Sequence, residues 1–132
     1  MKLEMRAWHK KKKWMDGVWL VDIEHGLLCF TAHNQSEMKD CVLMLWIGLV
    51  DKNGVKIYEG DILTDSYKRV LHVVWWNHGF QFKALKETNF AYAAIGQWFD
   101  DYTEAPEVIG NIYENPELST KALDRLIGGG GK

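Results

Sequence analysis

Apolar side chains recur at every second position along much of this chain, and that period most tightly limits what it can fold into. Leu3, Met5 and Ala7 alternate with Glu4, Arg6 and Trp8. Cys41, Leu43, Leu45 and Ile47 alternate with Val42, Met44, Trp46 and Gly48. Val70, His72, Val74 and Trp76 alternate with Leu71, Val73 and Trp75, and Phe80, Phe82 and Ala84 with Gln81, Lys83 and Leu85. Successive side chains of a strand point to opposite faces, so this period predicts β-strands. Runs that are apolar at both parities predict strands covered on both sides, as in a sandwich or barrel. Turn chemistry falls between the runs. Asn53-Gly54 predicts a two-residue hairpin between strands at 41–50 and 55–58, because both residues tolerate positive φ. Asn77-His78-Gly79 predicts a second hairpin, and Asp16-Gly17 and His25-Gly26 predict further turns. Eight or nine short strands result, spaced as in an all-β domain. Residues 31–40 keep no period and are expected to be a loop or one helical turn, and 96–107 an exposed loop.

One helix is expected, near the C-terminus. Asn115 suits the N-cap, Pro116 the first helical position, and Glu117 the positive helix end. Leu118, Ala122 and Leu126 then share a stripe, with Leu123 and Ile127 beside it, and Gly128 ends the helix. A chain of 132 residues is one domain's worth, assigned here to 1–127, with 128–132 as a flexible glycine-rich tail. Hydrophobic residues at 47% and charged residues at 26% exclude a disordered or fibrous chain. No apolar run approaches the roughly 20 residues that span a bilayer, and Met1-Lys2-Leu3-Glu4 does not open a signal peptide. Two cysteines, Cys29 and Cys41, make no disulfide framework, so a reducing cytoplasm is the expected location.

The net charge is only -2, but it is unevenly placed. Within residues 1–14, Lys2, Arg6, Lys10, Lys11, Lys12 and Lys13 face Glu4 alone, a local +5. Residues 87–120 hold seven carboxylates and no Lys or Arg, a local -7. The asymmetry would attract one copy to another, or simply give two solvated loops of opposite sign.

Motifs for chemistry are scarce. Five scattered histidines show no metal-ligand spacing, and no Cys-x-x-Cys exists, so no metal site is assigned. Cys29 and Cys41 sit in apolar runs, where a buried thiol is inert. No Gly-x-Ser-x-Gly is present, and Ser36 and Ser66 are expected in polar turns. Glu59 and Asp61, or Asp100, Asp101 and Glu104, read as turn-capping carboxylates rather than an acid–base pair held across a cleft. No phosphate-binding glycine motif or cofactor fingerprint occurs. What stands out is Trp8-His9-Lys10-Lys11-Lys12-Lys13-Trp14, four lysines bracketed by two tryptophans. Arg6, Trp8, Lys10, Lys11, Lys12, Lys13 and Trp14 are therefore candidate nucleic-acid or partner contacts, since ring stacking plus phosphate contact holds single strands. The alternative is a lysine-rich hairpin turn anchored by tryptophan at each end, with lysine guarding a sheet edge.

Three blocks together carry a family resemblance. Met5-Arg6-Ala7-Trp8 with Trp14-Met15 resembles the opening of the YopX family of phage and prophage proteins. The stretch from Ile47 to Leu63, including Asp51-Lys52-Asn53-Gly54 and Ile57-Tyr58-Glu59-Gly60-Asp61-Ile62, is similar to that family's central signature. Val108-Ile109-Gly110-Asn111-Ile112-Tyr113-Glu114-Asn115-Pro116-Glu117-Leu118 is similar to its closing one. Ile47 and Met5 depart from the residues usual there, Thr and Phe. The C-terminal helix is also expected to run longer than is usual in the family. The resemblance implies an all-β fold with an SH3-like or pseudobarrel core, in a phage-encoded protein that often self-associates. It carries no catalytic residue. Its signature positions Gly48, Asn53, Gly54, Tyr58, Gly60, Asp61, Gly110, Tyr113 and Pro116 read as architecture. Tyr58 and Ile62 are expected to face a core, and Asp61 to cap the turn at Gly60.

The function expected is therefore non-enzymatic and needs no cofactor. It is that of a phage accessory protein in the host cytoplasm, binding a host factor or small signalling ligand as a homo-oligomer through Leu118, Ala122, Leu126 and Ile127 or a sheet edge. A nucleic-acid-binding module using residues 6–14, with the Lys10–Lys13 loop and its neighbouring aromatics, and the strand pair 70–83 is the alternative, and an enzyme the third.

Overall fold

The computed structural model describes residues 4–65, 69–76, 79–84, 92–94 and 106–118. The chain divides into two units, Met1–Gly48 and Leu49–Lys132.

The first unit is built on β1 (Met5–His9), β2 (Trp14–Asp22), β3 (Leu27–Phe30), β4 (Ser36–Glu37), a 3-10 turn (Met38–Asp40) and β5 (Cys41–Val50). Within this unit the strands run in the order β4-β3-β2-β1-β5; β6 (Lys56–Tyr58) follows β5 in the chain and belongs to the second unit. β1 is paired antiparallel on both sides, with Ala7 opposite Asp16 on β2 and Leu43 on β5. Directly opposed residues share a face. Ala7 and Val18 therefore line up with Phe30, and with Leu28 these four form a buried cluster packed by Met5, Trp14, Val21, Met38 and Cys41. Hiding each large side chain contributes roughly 1.5–3 kcal/mol. The opposite face is apolar as well, for Trp8 and Met44 are 8% and 2% exposed, which is why the period shows at both parities. A bulge between Val18 and Leu20 breaks the β2–β3 register. The extra residue there is Trp19, left 64% exposed. Bulges turn a side chain out of the regular pleat in this way.

The second unit carries β7 (Asp61–Thr64), β8 (Val70–Trp76), β9 (Gly79–Ala84), β10 (Tyr92–Ala94) and β11 (Glu107–Asn111), ordered β10-β9-β8-β7-β11. Leu63 opposes Leu71 and Val73 opposes Phe82, so these four fully buried side chains lie on one face. Ile62 is fully buried as well, and Tyr58 is half-buried.

The mainly β expectation holds, with corrections of detail. Among the described residues there are eleven strands in two antiparallel sheets, and no closed barrel, rather than eight or nine strands around a barrel core. The extra strands, such as β4 and β10, are two or three residues long, too short to display a period. Ser36 lies in β4 and not in a turn. Asp16-Gly17 sits inside β2. The Asn53-Gly54 hairpin has a three-residue loop, closed by Asp51 N–H to the Val55 carbonyl at 2.8 Å, with Gly54 N–H on the Asp51 carbonyl at 3.0 Å. Gly54 alone takes positive φ, at 82°, so it is the turn's one left-handed position. The β8–β9 hairpin forms as expected, Trp76 opposing Gly79; its loop at 77–78 lies outside the described residues.

The signature blocks fit together within the second unit. Gly110 opposes Ile62 and Asn111 opposes Asp61 across β7 and β11. The Ile112 N–H donates to the Gly60 carbonyl at 3.0 Å, and Gly60, at φ 86°, donates to the Val73 carbonyl. Asp61 caps its turn as expected, Oδ2 accepting from the Tyr58 N–H at 2.8 Å. Asn111 Oδ1 accepts from the Tyr113 and Glu114 N–H groups. Asn115 sits at the N-cap position, its carbonyl accepting from the Leu118 N–H, while its side chain turns back to the Asn111 N–H. A Cβ on Gly110 would stand 2.6 Å from Asn115 Oδ1 and 2.7 Å from Leu118 Cδ1. Glycine is needed there for close approach. Residues 116–118 are helical. Ala122, Leu126, Ile127 and the 128–132 tail lie outside the described residues.

Candidate ligand-binding groove

Asp16 is an anomaly as a sequence element: a carboxylate in mid-strand whose side chain is only 8% exposed. The fold satisfies it completely. Oδ1 accepts from the Thr31 hydroxyl at 2.7 Å and the Gly17 N–H at 2.8 Å. Oδ2 accepts from the Ala32 N–H at 2.8 Å, the His33 N–H at 2.9 Å and the His33 ring Nδ1–H at 2.9 Å. Burial alone would raise this carboxyl's pKa, but the bonds from Thr31, His33, Ala32 and Gly17 outweigh it and hold it well below the usual carboxylate range. Residues 31–33 are thereby folded onto β2. Because a carboxylate can only accept, His33 Nδ1 carries the proton and Nε2 is left to meet solvent or a ligand.

The His33 ring is fixed a second time. Trp14 stacks on it with centroids 3.8 Å apart and planes 5° apart, and meets Phe30 edge-on at 4.8 Å. Beside this stack a groove of about 380 Å³ is lined by Trp19, Cys29, Phe30, His33, Asn34 and Gln35. That size lies in the range of small-molecule sites. Trp19 forms an exposed wall, and its indole N–H donates to the Phe30 carbonyl at 3.1 Å, which fixes the ring. The lining thus combines one pinned indole, one oriented imidazole and two amides, all in the first unit. Such an arrangement can stack a flat ring and hydrogen-bond its edge.

The lysine run is the turn between β1 and β2. Lys13 takes φ 61°, and its N–H donates to the His9 carbonyl at 2.8 Å. The Lys12 N–H donates to Nδ1 of the buried His9 at 3.1 Å, and the Lys10 N–H to the Asp40 carbonyl at 2.9 Å. Lys10, Lys11, Lys12 and Lys13 are all exposed. Lys11 Nζ pairs with Asp40 at 3.3 Å and stays 76% exposed. Trp8 is buried and Trp14 half-buried, so both anchor the hairpin from within. Arg6 is half-buried between Gly17 and Met44. Of the oligomer candidates, Leu118 is half-buried against Gly110 and so is engaged within its own unit.

Sequence reasoning missed the groove. Asp16 was legible only as a turn residue, His33 as one of several scattered histidines, and Trp19 not at all. The usable signal was an aspartate between apolar strand neighbours, which demands buried donors. Both thiols are free and half-buried rather than fully buried, and burial, with Asp40 nearby, pushes the Cys41 thiol up. Among the described residues no three His, Cys, Asp or Glu side chains converge as metal ligands would. None of the described helical segments is long and apolar enough to cross a membrane.

Comparison with known proteins places this architecture in a class. The family model described as YopX protein matches residues 4–119. This chain belongs to the YopX family. Among solved structures, the crystal structure of protein EF1440 from Enterococcus faecalis is similar, at 24% identity and a TM-score of 0.66, over 90% of this chain and 99% of that one. That likeness speaks to fold. No curated protein matches the chain significantly.

Proposed function

We propose that this YopX protein is a non-enzymatic accessory protein of phage type that acts by binding, with the Trp19 groove of the first unit as its ligand site. The observation that supports this reading is the preorganised lining. Trp19 is pinned by its bond to Phe30, and His33 is pinned by both Asp16 and Trp14. Preorganised groups lose little freedom on binding, so more of the contact energy is realised as affinity. A small ligand with a flat polar ring suits such a lining. Self-association is part of the same proposal.

A thermal-shift screen against nucleosides, monosaccharides and aromatic amino-acid derivatives tests the groove. At least one class is expected to raise the melting temperature of the wild type and not that of Trp19→Ala. If no class does so, or if every stabilising compound acts equally on both proteins, the groove is not the site.

A further inference from the structure

The lysine turn runs directly into β2, the strand that also carries Trp19 of the groove. Lys13 is followed directly by Trp14, whose ring lies flat on His33, and His33 lines the groove. One stacked pair of rings therefore links the exposed lysine turn, whose Lys11 ammonium is shared with Asp40, to a site walled by an exposed indole. Two recognition chemistries stand side by side: a ring face with imidazole and amide groups for a flat polar ring, and cations for an anion. A nucleotide carries both partners in one molecule.

We propose that the groove and the lysine turn, joined through the Trp14–His33 stack, together bind a nucleotide unit, its base in the groove against Trp19 and its phosphate on the Lys10–Lys13 turn. The inference rests on the groove being the ligand site. Three observations support it. The indole face stacks any base, since every base has a π-face. His33 Nε2, Asn34 and Gln35 offer donors and acceptors to a base edge. The nearby Asp16 carboxylate presents little charge to a phosphate, because it is almost buried and takes five hydrogen bonds from its own unit. Lysine ammonium groups are compact and mobile, suited to phosphate as point charges. The same chemistry is presented by a free mononucleotide and by a single strand, and the two are separated by experiment.

The test uses the full chain and two probes. One is a fluorescently labelled oligothymidylate of roughly ten nucleotides followed by anisotropy, and the other is thymidine or adenosine monophosphate followed by calorimetry. Wild type is expected to bind near 50 mM salt, and if three or four phosphates are met, to lose roughly 20- to 50-fold in affinity for the oligonucleotide by about 200 mM. Trp19→Ala should weaken binding about tenfold or more while leaving the salt slope unchanged. Replacing Lys10, Lys11, Lys12 and Lys13 together with Gln should flatten the slope. Trp19 is largely exposed, so its variant keeps the fold, and Asn34→Ala with Gln35→Ala supplies an independent loss. Mononucleotide binding supports the proposal with a free nucleotide as ligand, and binding of the oligonucleotide alone supports it with a single strand. No binding of either probe near 50 mM salt overturns it. Binding that survives both Trp19→Ala and the double amide variant also overturns it. A sugar or an amino-acid derivative that stabilises only through Trp19, with nucleotides inert, would end this inference and leave the groove as the ligand site.

Discussion

Single side chains carry much of this architecture, and Asp16 shows how. Its Oδ2 receives three N–H donors, from Ala32 and twice from His33. An amide nitrogen placed there would point donors at donors. Asp16→Asn is therefore expected to cost on the order of 2 kcal/mol and to release His33 from its stack on Trp14, read by urea denaturation and by the His33 ring resonances. Unchanged stability would mean the carboxylate is not the organiser of residues 31–33. His72 offers a second test. Burial first, and then the charge of its cross-strand neighbour Lys83, push its pKa down to about 4. A histidine in the unfolded chain titrates near 6.5, so below that pH the unfolded state binds more protons. The stability from neutral His72 is full above about pH 6.5 and declines as pH falls towards 4, by up to about 3 kcal/mol. The denaturation midpoint should fall between pH 7 and pH 5, and His72→Gln should reduce that fall. An identical pH dependence in the variant would contradict the assignment.

At the level of elements, Asp51 ties the central signature to the closing one. Its side chain accepts from the Asn53 and Val55 N–H groups, which shape the hairpin loop, and from the Val108 N–H of β11 at 2.9 Å. Asp51→Ala would leave these donors without an acceptor in a site only 4% exposed. A loss on the order of 3 kcal/mol is expected in chemical denaturation, whereas a loss below about 0.5 kcal/mol would place the tie elsewhere. This tie was hidden in the sequence. Asp51-Lys52-Asn53-Gly54 announces a turn through its backbone preferences, but the Val108 contact joins residues 57 apart in the chain. Long runs such as β5 and β8 were readable because seven or more residues display a period. The two-residue β4 was not, and the bulge that exposes Trp19 carries no glycine to announce it. The lysine turn was legible as a cationic feature, whereas its adjacency to the groove depends on Trp14 meeting His33 across the fold. Local propensity was thus visible, and non-local pairing was not.

For the whole molecule, the opposed charge of residues 1–14 and 87–120 and the exposed apolar residues Ile23, Trp75 and Val55 support self-association, which closed symmetric assemblies usually satisfy. Sedimentation at micromolar concentration should return a mass above that of one chain. A single-chain mass would refute self-association, and an oligomer that dissociates on changing Leu126 and Ile127 to Asp would place its contact on the C-terminal segment. Ligand binding, on the proposed function, is a property of the first unit's groove. Its most direct test is a two-dimensional amide and indole NMR spectrum recorded while a compound that stabilises the protein is titrated in. Shifts are expected to concentrate at the Trp19 indole and at Cys29, His33, Asn34 and Gln35, with Leu63, Leu71 and Phe82 of the second unit unmoved. Shifts centred on those second-unit residues, with the Trp19 indole unchanged, would contradict it.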